Sequence, residues 1–262
     1  MIDNPRSPRV RAVQKLAKRK ARQESGLFLV EGPQAVGEAL AFTPELVTEV
    51  YLTRAARGKV DFVHAAENAG AHVVDVSESV LAALADTVTP QGVVAVCKSF
   101  TRSVAAVAQL NPRLIAVVHE VRDPGNAGTI IRAADAVGAD AVIFTGDAVD
   151  VYNPKTVRST AGSLFHMPIA TGSLNEAVAA LRRAGLQVLA TDLGGEELPA
   201  LRGLLSAPTA WIFGNEAHGL DAEAVGIADH AVKLPIYGHA ESLNLATAAS
   251  VCLYESAFAQ RG

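Results

Sequence analysis

Cysteine is nearly missing from this 262-residue chain: Cys97 and Cys252 stand 155 positions apart. Two isolated thiols exclude a disulfide framework and a CxxC metal site, and they point to a reducing, cytoplasmic setting. Aromatic residues make up only 5%, with a single Trp. No apolar run is long enough to cross a membrane, and the polar N-terminus lacks the apolar core of a signal peptide. Positive charge is not in excess either. Lys and Arg number 23 against 27 Asp and Glu, a net −4, which excludes a uniformly basic nucleic-acid coat. No G-x-x-x-x-G-K-S/T phosphate loop occurs, and no compact His/Cys/Asp/Glu cluster suggests a metal. What the chain does have is apolar mass. Half of its residues are hydrophobic and 19% charged, enough for one large or two ordinary domains with proper cores.

The charge is unevenly placed. Residues 1–25 hold Arg6, Arg9, Arg11, Lys15, Lys18, Arg19, Lys20 and Arg22 against Asp3 and Glu24. Residues 1–112 carry 13 basic and 11 acidic side chains, and residues 113–262 carry 10 and 16, so the halves differ in sign. Two readings of the basic segment stand. It is a solvated helix face packed through Val10, Val13, Leu16 and Ala17, or it is an arm whose Arg9, Arg11, Lys15, Lys18, Arg19 and Arg22 release counterions from nucleic-acid phosphates. Without an aromatic residue, such an arm tracks a backbone and does not stack on bases.

Both halves alternate short β-rich runs with Ala-rich helical stretches. Strands are expected at 27–30, 47–52, 72–76 and 93–97, with helices near 34–41, 58–69 and 78–85. In the second half, 114–118, 141–145, 187–190, 210–213 and 231–234 read as buried parallel strands. Helices near 126–138, 154–165, 174–184, 220–226 and 243–260 fill the gaps. This argues for α/β architecture in both parts. The aperiodic stretch 99–112 is the expected linker between a small domain at 1–98 and a larger one at 113–262.

Open α/β sheets present ligands at the carboxyl ends of their strands, so the loops there carry the functional reading. The first, VRDPGNAGTIIR at 121–132, has a Pro124–Gly125 turn, Asn126 as an expected N-cap, and Gly128 sharing a helix face with Arg132 and Asp135. That face either receives a bulky anion at Arg132 or holds an Arg132–Asp135 surface pair. The second, GNEAHGL at 214–220, follows a buried strand directly. Gly214 there lets a ligand approach the backbone, while Glu216 and His218 are polar groups that either act or brace the loop. The third, LPIYGHAESLNL at 234–245, puts Ser242 and Asn244 at the start of an Ala-rich final helix.

Taken in order, these loops resemble the motifs of the SpoU/TrmH branch of the SPOUT methyltransferases. The matching segments are 126–132 (NAGTIIR), 213–220 (FGNEAHGL), and 234–238 (LPIYG) with 242–245 (SLNL); Leu234 stands where the family often has Ile. The resemblance covers roughly residues 113–260. Residues 159–165 (STAGSLF) are similar to the family's connecting segment, and 28–32 (FLVEG) to its small substrate-binding domain.

The resemblance implies a parallel α/β sheet with helices on both faces and a deep C-terminal trefoil knot, preceded by a small α/β RNA-binding domain. It implies transfer of a methyl group from S-adenosylmethionine to an RNA ribose 2'-hydroxyl. Thr191 or Leu193, Gly214, Leu234, Ile236, Leu243 and Leu245 would contact the cofactor. Arg132 would be the catalytic arginine, as a phosphate clamp rather than a literal base, because guanidinium does not deprotonate in proteins. Asn126 and Asn244 would orient Arg132 and the ribose, Glu216 would hold the arginine or its loop, and Ser242 would bond the nucleotide. The family implies a homodimer that acts on RNA, not on DNA or at a membrane. The two-domain layout favours ribosomal (23S) RNA. A tRNA ribose methyltransferase and a noncatalytic RNA-binding assembly protein are the alternatives.

Overall fold

The computed structural model describes all 262 residues, which divide into two compact units. The first holds Met1–Phe100 and Asp150–His166, and the second Thr101–Val149 and Met167–Gly262.

The first unit opens with helices α1 (Pro8–Gln14) and α2 (Arg19–Ser25), followed by β1 (Leu27–Glu31), α3 (Pro33–Phe42), β2 (Val47–Thr53), α4 (Arg54–Arg57), α5 (Val63–Asn68), β3 (His72–Val76), α6 (Glu78–Leu84) and β4 (Val93–Lys98). The sheet order is β1-β4-β2-β3, with β4 antiparallel to both neighbours and β2 parallel to β3. The Ser7 hydroxyl accepts from the Val10 N–H and Pro8 occupies the first turn, so the basic segment starts as a capped helix. Val10, Val13 and Leu16 pack into a core with Leu29, Tyr51, Leu81 and Leu84, whereas Ala17 is exposed. Extended backbone at Lys18 breaks the segment in two. The helix expected at 58–69 is shorter, since α5 covers only Val63–Asn68 and residues 58–62 lie outside any helix.

The second unit contains β5 (Arg102–Ser103), α7 (Val104–Ala108), β6 (Leu114–His119), α8 (Pro124–Ala136), β7 (Ala141–Thr145), β8 (Ile169–Gly172), α10 (Leu174–Arg183), β9 (Gln187–Glu197), β10 (Thr209–Phe213), α11 (Ala222–Gly226), β11 (His230–Lys233) and α12 (Leu245–Arg261), while α9 (Pro154–Ser159) belongs to the first unit. Its seven strands run in the order β11-β9-β10-β6-β7-β8-β5, every pair parallel. Ile115, Val117, Ile143, Val188 and Ile212 meet Val104, Val107, Ala177 and Leu181 of α7 and α10 in one core. Each such side chain fully withdrawn from water stabilises by about 2 kcal/mol. On α12, the Ser256 hydroxyl accepts from buried Trp211 Nε1 at 2.8 Å, and the helix packs along α8 and β10.

Residues 101–112 are therefore not a linker. They carry an edge strand and a helix whose Val104 and Val107 are fully buried. Residues 150–166 form an excursion into the first unit that local patterning did not reveal. Phe28, Phe100, Tyr152 and Phe165 cluster there, with the Phe28 and Tyr152 ring centroids 4.4 Å apart.

One irregularity shapes the functional end of the sheet. Ala231 of β11 lies opposite Ala190 of β9, but the next residue, Val232, lies opposite Glu196. Residues 191–195 therefore arch out of the ladder. The arch closes on Gly195, where a Cβ would lie 2.4 Å from the Ala231 carbonyl carbon.

Candidate functional site

Three loops at the carboxyl ends of β6, β10 and β11 meet through their side chains. In the first, Asp123 rather than Asn126 is the N-cap of α8. Its carboxylate accepts from the Asn126 N–H at 2.7 Å, with Pro124 in the first turn. That correction moves Asn126 into the helix and leaves its side-chain amide available. In the second loop, the backbones of Asn215 and Gly219 exchange hydrogen bonds of 2.9 Å, closing a tight turn. In the third, Asn244 caps α12 by accepting from Ala246 N–H at 3.0 Å and Thr247 N–H at 3.2 Å.

Glu216 ties the first two loops together. Its carboxylate accepts from the Arg122 and Asp123 amides at 3.3 and 3.2 Å and from Asn126 Nδ2 at 3.2 Å. Asn244 Nδ2 in turn donates to Asn126 Oδ1 at 3.0 Å. Glu216, Asn126 and Asn244 thus form one relay with each polar group oriented by the next. Of the two expected roles for Glu216, the loop brace is the one observed. Asn215 adds a further tie, donating from Nδ2 to the Glu120 carbonyl at 2.9 Å.

Beside this relay lies a cavity of about 370 Å³. Thr191 and Leu193 enter it from the β9 arch, Glu216 from the second loop, and Leu234, Ile236, Ser242, Leu243 and Leu245 from the third. Asn215, Ala217, His218, Gly219, Asp192 and Lys233 complete much of the remaining wall. None of these six is an expected cofactor contact; Asp192, Asn215 and Lys233 adjoin one in sequence, whereas Ala217, His218 and Gly219 reach the wall through the turn. Apolar side chains on one wall and carboxylates with backbone amides on another suit a nucleoside with a charged tail.

Gly214 does not line the cavity. It is buried, and a Cβ there would lie 2.6 Å from the Gly219 carbonyl carbon and oxygen. Its role is to let the loop close on itself, and its effect on a ligand is through the position of 215–219. Arg132 is exposed on α8 and does not line the cavity of its own chain either.

Of the basic segment, Arg9, Arg11, Lys15, Lys18 and Arg19 are exposed. Arg22 is not: it is 3% exposed, pairs with Asp150 at 2.6 Å, and donates to the Leu16 and Ala17 carbonyls. A guanidinium held that way is a structural post and cannot meet a phosphate, which removes Arg22 from the RNA-binding set. Arg9 is partly committed as well, donating to Tyr51 Oη at 3.2 Å and pairing with Glu49 at 3.3 Å. Burial, then a hydrogen bond to Glu49, pushes the Tyr51 hydroxyl up to about 12.

Residues 113–254 match the SpoU rRNA Methylase family, and residues 7–95 match the MRM3-like substrate binding domain. The chain is 35% identical over 257 residues, covering 97% of both proteins, to the 23S rRNA (guanosine(2553)-2'-O)-methyltransferase RlmP of Bacillus subtilis. Among solved structures, it superposes with a TM-score of 0.86 on an AdoMet-bound rRNA methyltransferase from Sinorhizobium meliloti, 31% identical and covering 97% and 96% of the two chains. The SpoU methyltransferase AviRb of Streptomyces viridochromogenes gives 0.81 at 29% identity, covering 97% and 98%.

Proposed function

Because the chain belongs to the SpoU rRNA methylase family, we propose that it transfers the methyl group of S-adenosylmethionine to a ribose 2'-hydroxyl of 23S ribosomal RNA. The observation that carries this reading is the cavity, which gathers Thr191, Leu193, Leu234, Ile236, Leu243 and Leu245 beside the Glu216–Asn126–Asn244 relay. Relatives named as 23S rRNA 2'-O-methyltransferases support the choice of RNA.

Leu234, Ile236, Leu243 and Leu245 make an apolar slot for adenine, and the turn at 215–219 offers backbone polar groups for its ring nitrogens and ribose. S-adenosylmethionine supplies an electrophilic methyl group on sulfur. The chain's task is to present the attacking oxygen in line and to stabilise the charge that develops on it. Asn126 and Asn244, each held by the relay, orient the ribose. Ser242, exposed at the cavity, hydrogen-bonds the nucleotide. Arg132 clamps a phosphate next to the 2'-hydroxyl and remains protonated, so the proton leaves to that phosphate or to water.

The reading extends to assembly. Arg132 is exposed and is not among the residues lining the cavity of its own chain, which favours a homodimer in which a second copy's Arg132 completes the site. Exposed Val251, Tyr254 and Phe258 on α12 offer an apolar face for that pairing. The return of the chain from edge strand β11 to an Asn244 bonded to Asn126, with α12 packed on α8, supports the family's trefoil knot. The first unit, with exposed Arg11, Lys15, Lys18 and Arg19, grips RNA, and the enzyme works in the cytoplasm.

The test is transfer from labelled S-adenosylmethionine to total ribosomal RNA and total tRNA in parallel, with Arg132→Ala as control. Label in ribosomal RNA that vanishes with Arg132→Ala, while calorimetry shows cofactor binding retained, is the expected result. Label confined to tRNA overturns the choice of RNA, and tight RNA binding with no label in either overturns catalysis.

A further inference from the structure

Four aromatic side chains of this protein are exposed: Phe42, Tyr237, Tyr254 and Phe258. Three of them have a ring to pack against. The Phe42 centroid lies 4.3 Å from that of His166, and the Tyr254 and Phe258 centroids lie 5.6 Å apart. Tyr237 has no such partner, and at 90% it is the most exposed of the four. A single exposed apolar group needs no explanation on a protein surface. The place of this one does.

Tyr237 stands in the third loop, between the end of β11 at Lys233 and the start of α12 at Leu245. Its neighbour Ile236 lines the cofactor cavity with Leu234, Ser242, Leu243 and Leu245, whereas the Tyr237 ring is turned out to solvent. The ring therefore stands at the lip of the cavity, on the loop whose Ser242 and Asn244 the reading above gives to the nucleotide. Residues 237–244 are exposed throughout, and a Cβ added at Gly238 would meet nothing within 4 Å, so the lip is uncrowded. Arg202 is a further neighbour. Its exposed guanidinium is held above its ordinary value by Glu255, which accepts two bonds of 2.9 Å, and more weakly by the nearby Tyr237 hydroxyl.

Resting on the ribose-methyltransferase reading above, we propose that Tyr237 stacks on an unpaired base of the RNA strand whose ribose enters the cavity. A strand drawn into a concave site loses its regular stacking there, and an aromatic face replaces what the base has lost. The basic segment at residues 9–22 carries no aromatic residue, so it holds the backbone and leaves stacking to another part of the chain. A ring beside a guanidinium suits a nucleotide better than an apolar segment of a second copy. Bases stack on aromatic and arginine planes alike, and phosphates carry the opposite charge. Because every base has a π-face, this contact supplies affinity and position without choosing a sequence.

The experiment measures binding and methylation of unmodified 23S rRNA transcript by wild type, Tyr237→Ala, Tyr237→Leu, Tyr237→Phe and Tyr237→Trp. Tyr237→Ala and Tyr237→Leu should bind the RNA about five- to a hundredfold more weakly, with a matching rise in KM, while calorimetry finds S-adenosylmethionine bound as in wild type. Tyr237→Phe and Tyr237→Trp should restore RNA affinity. Bound RNA should quench the added indole of Tyr237→Trp and leave wild-type emission unchanged, since the native Trp211 is fully buried. Unchanged RNA affinity in Tyr237→Ala, rescue by leucine as good as by phenylalanine, or no quenching in Tyr237→Trp overturns the assignment. So does a fall of Tyr237→Ala to the mass of a single chain where wild type is a dimer, which gives the ring to a subunit contact. No transfer by wild type to any RNA overturns the methyltransferase reading itself, and this assignment with it.

Discussion

Asn126 and Asn244 lie 118 residues apart in sequence and are joined by a single hydrogen bond of 3.0 Å, with Asn244 the donor. The same Asn244 accepts two backbone N–H groups with its other oxygen-bearing arm, so it both starts the last helix and steadies the first loop. Asn244→Asp separates these tasks. The carboxylate keeps the cap, so the urea midpoint stays near wild type, while loss of the donor lowers methyl transfer by at least about tenfold. Asn244→Ala removes both and costs about 1 kcal/mol of stability as well. An aspartate variant with full activity would make the bond incidental.

Arg22 and Lys18 are neighbours in a basic run and should respond oppositely. Arg22→Ala leaves a largely buried Asp150 without its partner, and urea unfolding should register a loss of about 3 kcal/mol. Lys18→Ala, at an exposed site, should shift stability by less than about 0.5 kcal/mol. It should reduce the log–log salt slope of RNA binding by about 1. A stable Arg22→Ala protein with weakened RNA binding would reverse both assignments.

Gly214→Ala adds a methyl group 2.6 Å from the Gly219 backbone, and the turn at 215–219 has to move. Overpacking of this kind costs about 1–3 kcal/mol. Calorimetry should also find S-adenosylmethionine bound at least about tenfold more weakly, since that turn forms one cavity wall. Gly203→Ala is the control, because nothing lies within 4 Å of its added Cβ. Equal affinities in the two variants would separate Gly214 from the cofactor.

If a second copy supplies Arg132, Arg132→Ala and Gly214→Val subunits, each inactive alone, should restore one another. Random pairing of equal amounts in a two-fold dimer gives about a quarter of wild-type activity. No recovery, in mixtures shown by mass to contain mixed dimers, would place each Arg132 with its own cofactor.

Much of this was legible from residue order. The runs at 114–118, 141–144 and 210–213 are apolar throughout, as strands buried on both faces must be, and they lie in β6, β7 and β10. Edge strand β5 is two residues long, too short for a pattern to register, and β8 is four residues that end on Thr171 and Gly172, with only Ile169 and Ala170 apolar. Arg22 could be counted as a charge, but its burial depends on Asp150, 128 residues away. The same holds for the excursion at 150–166, whose packing is nonlocal. At the site, residue types were readable and partners were not. Asp123 displaced Asn126 as the cap because Pro124 fits the first helical position, and Glu216 found backbone amides rather than the arginine.

The arch at 191–195 ties the pocket to the order in which the chain is made. The arch is bounded by the two places where β9 pairs with β11, at Ala190 and at Glu196. A nascent chain grown as far as Phe213 has the strands of a sheet and nothing for the cofactor to enter. Recognition of the methyl donor is thus deferred until the final stretch of polypeptide has docked. S-adenosylmethionine then stabilises only finished molecules, rewarding completion and ignoring every shorter intermediate.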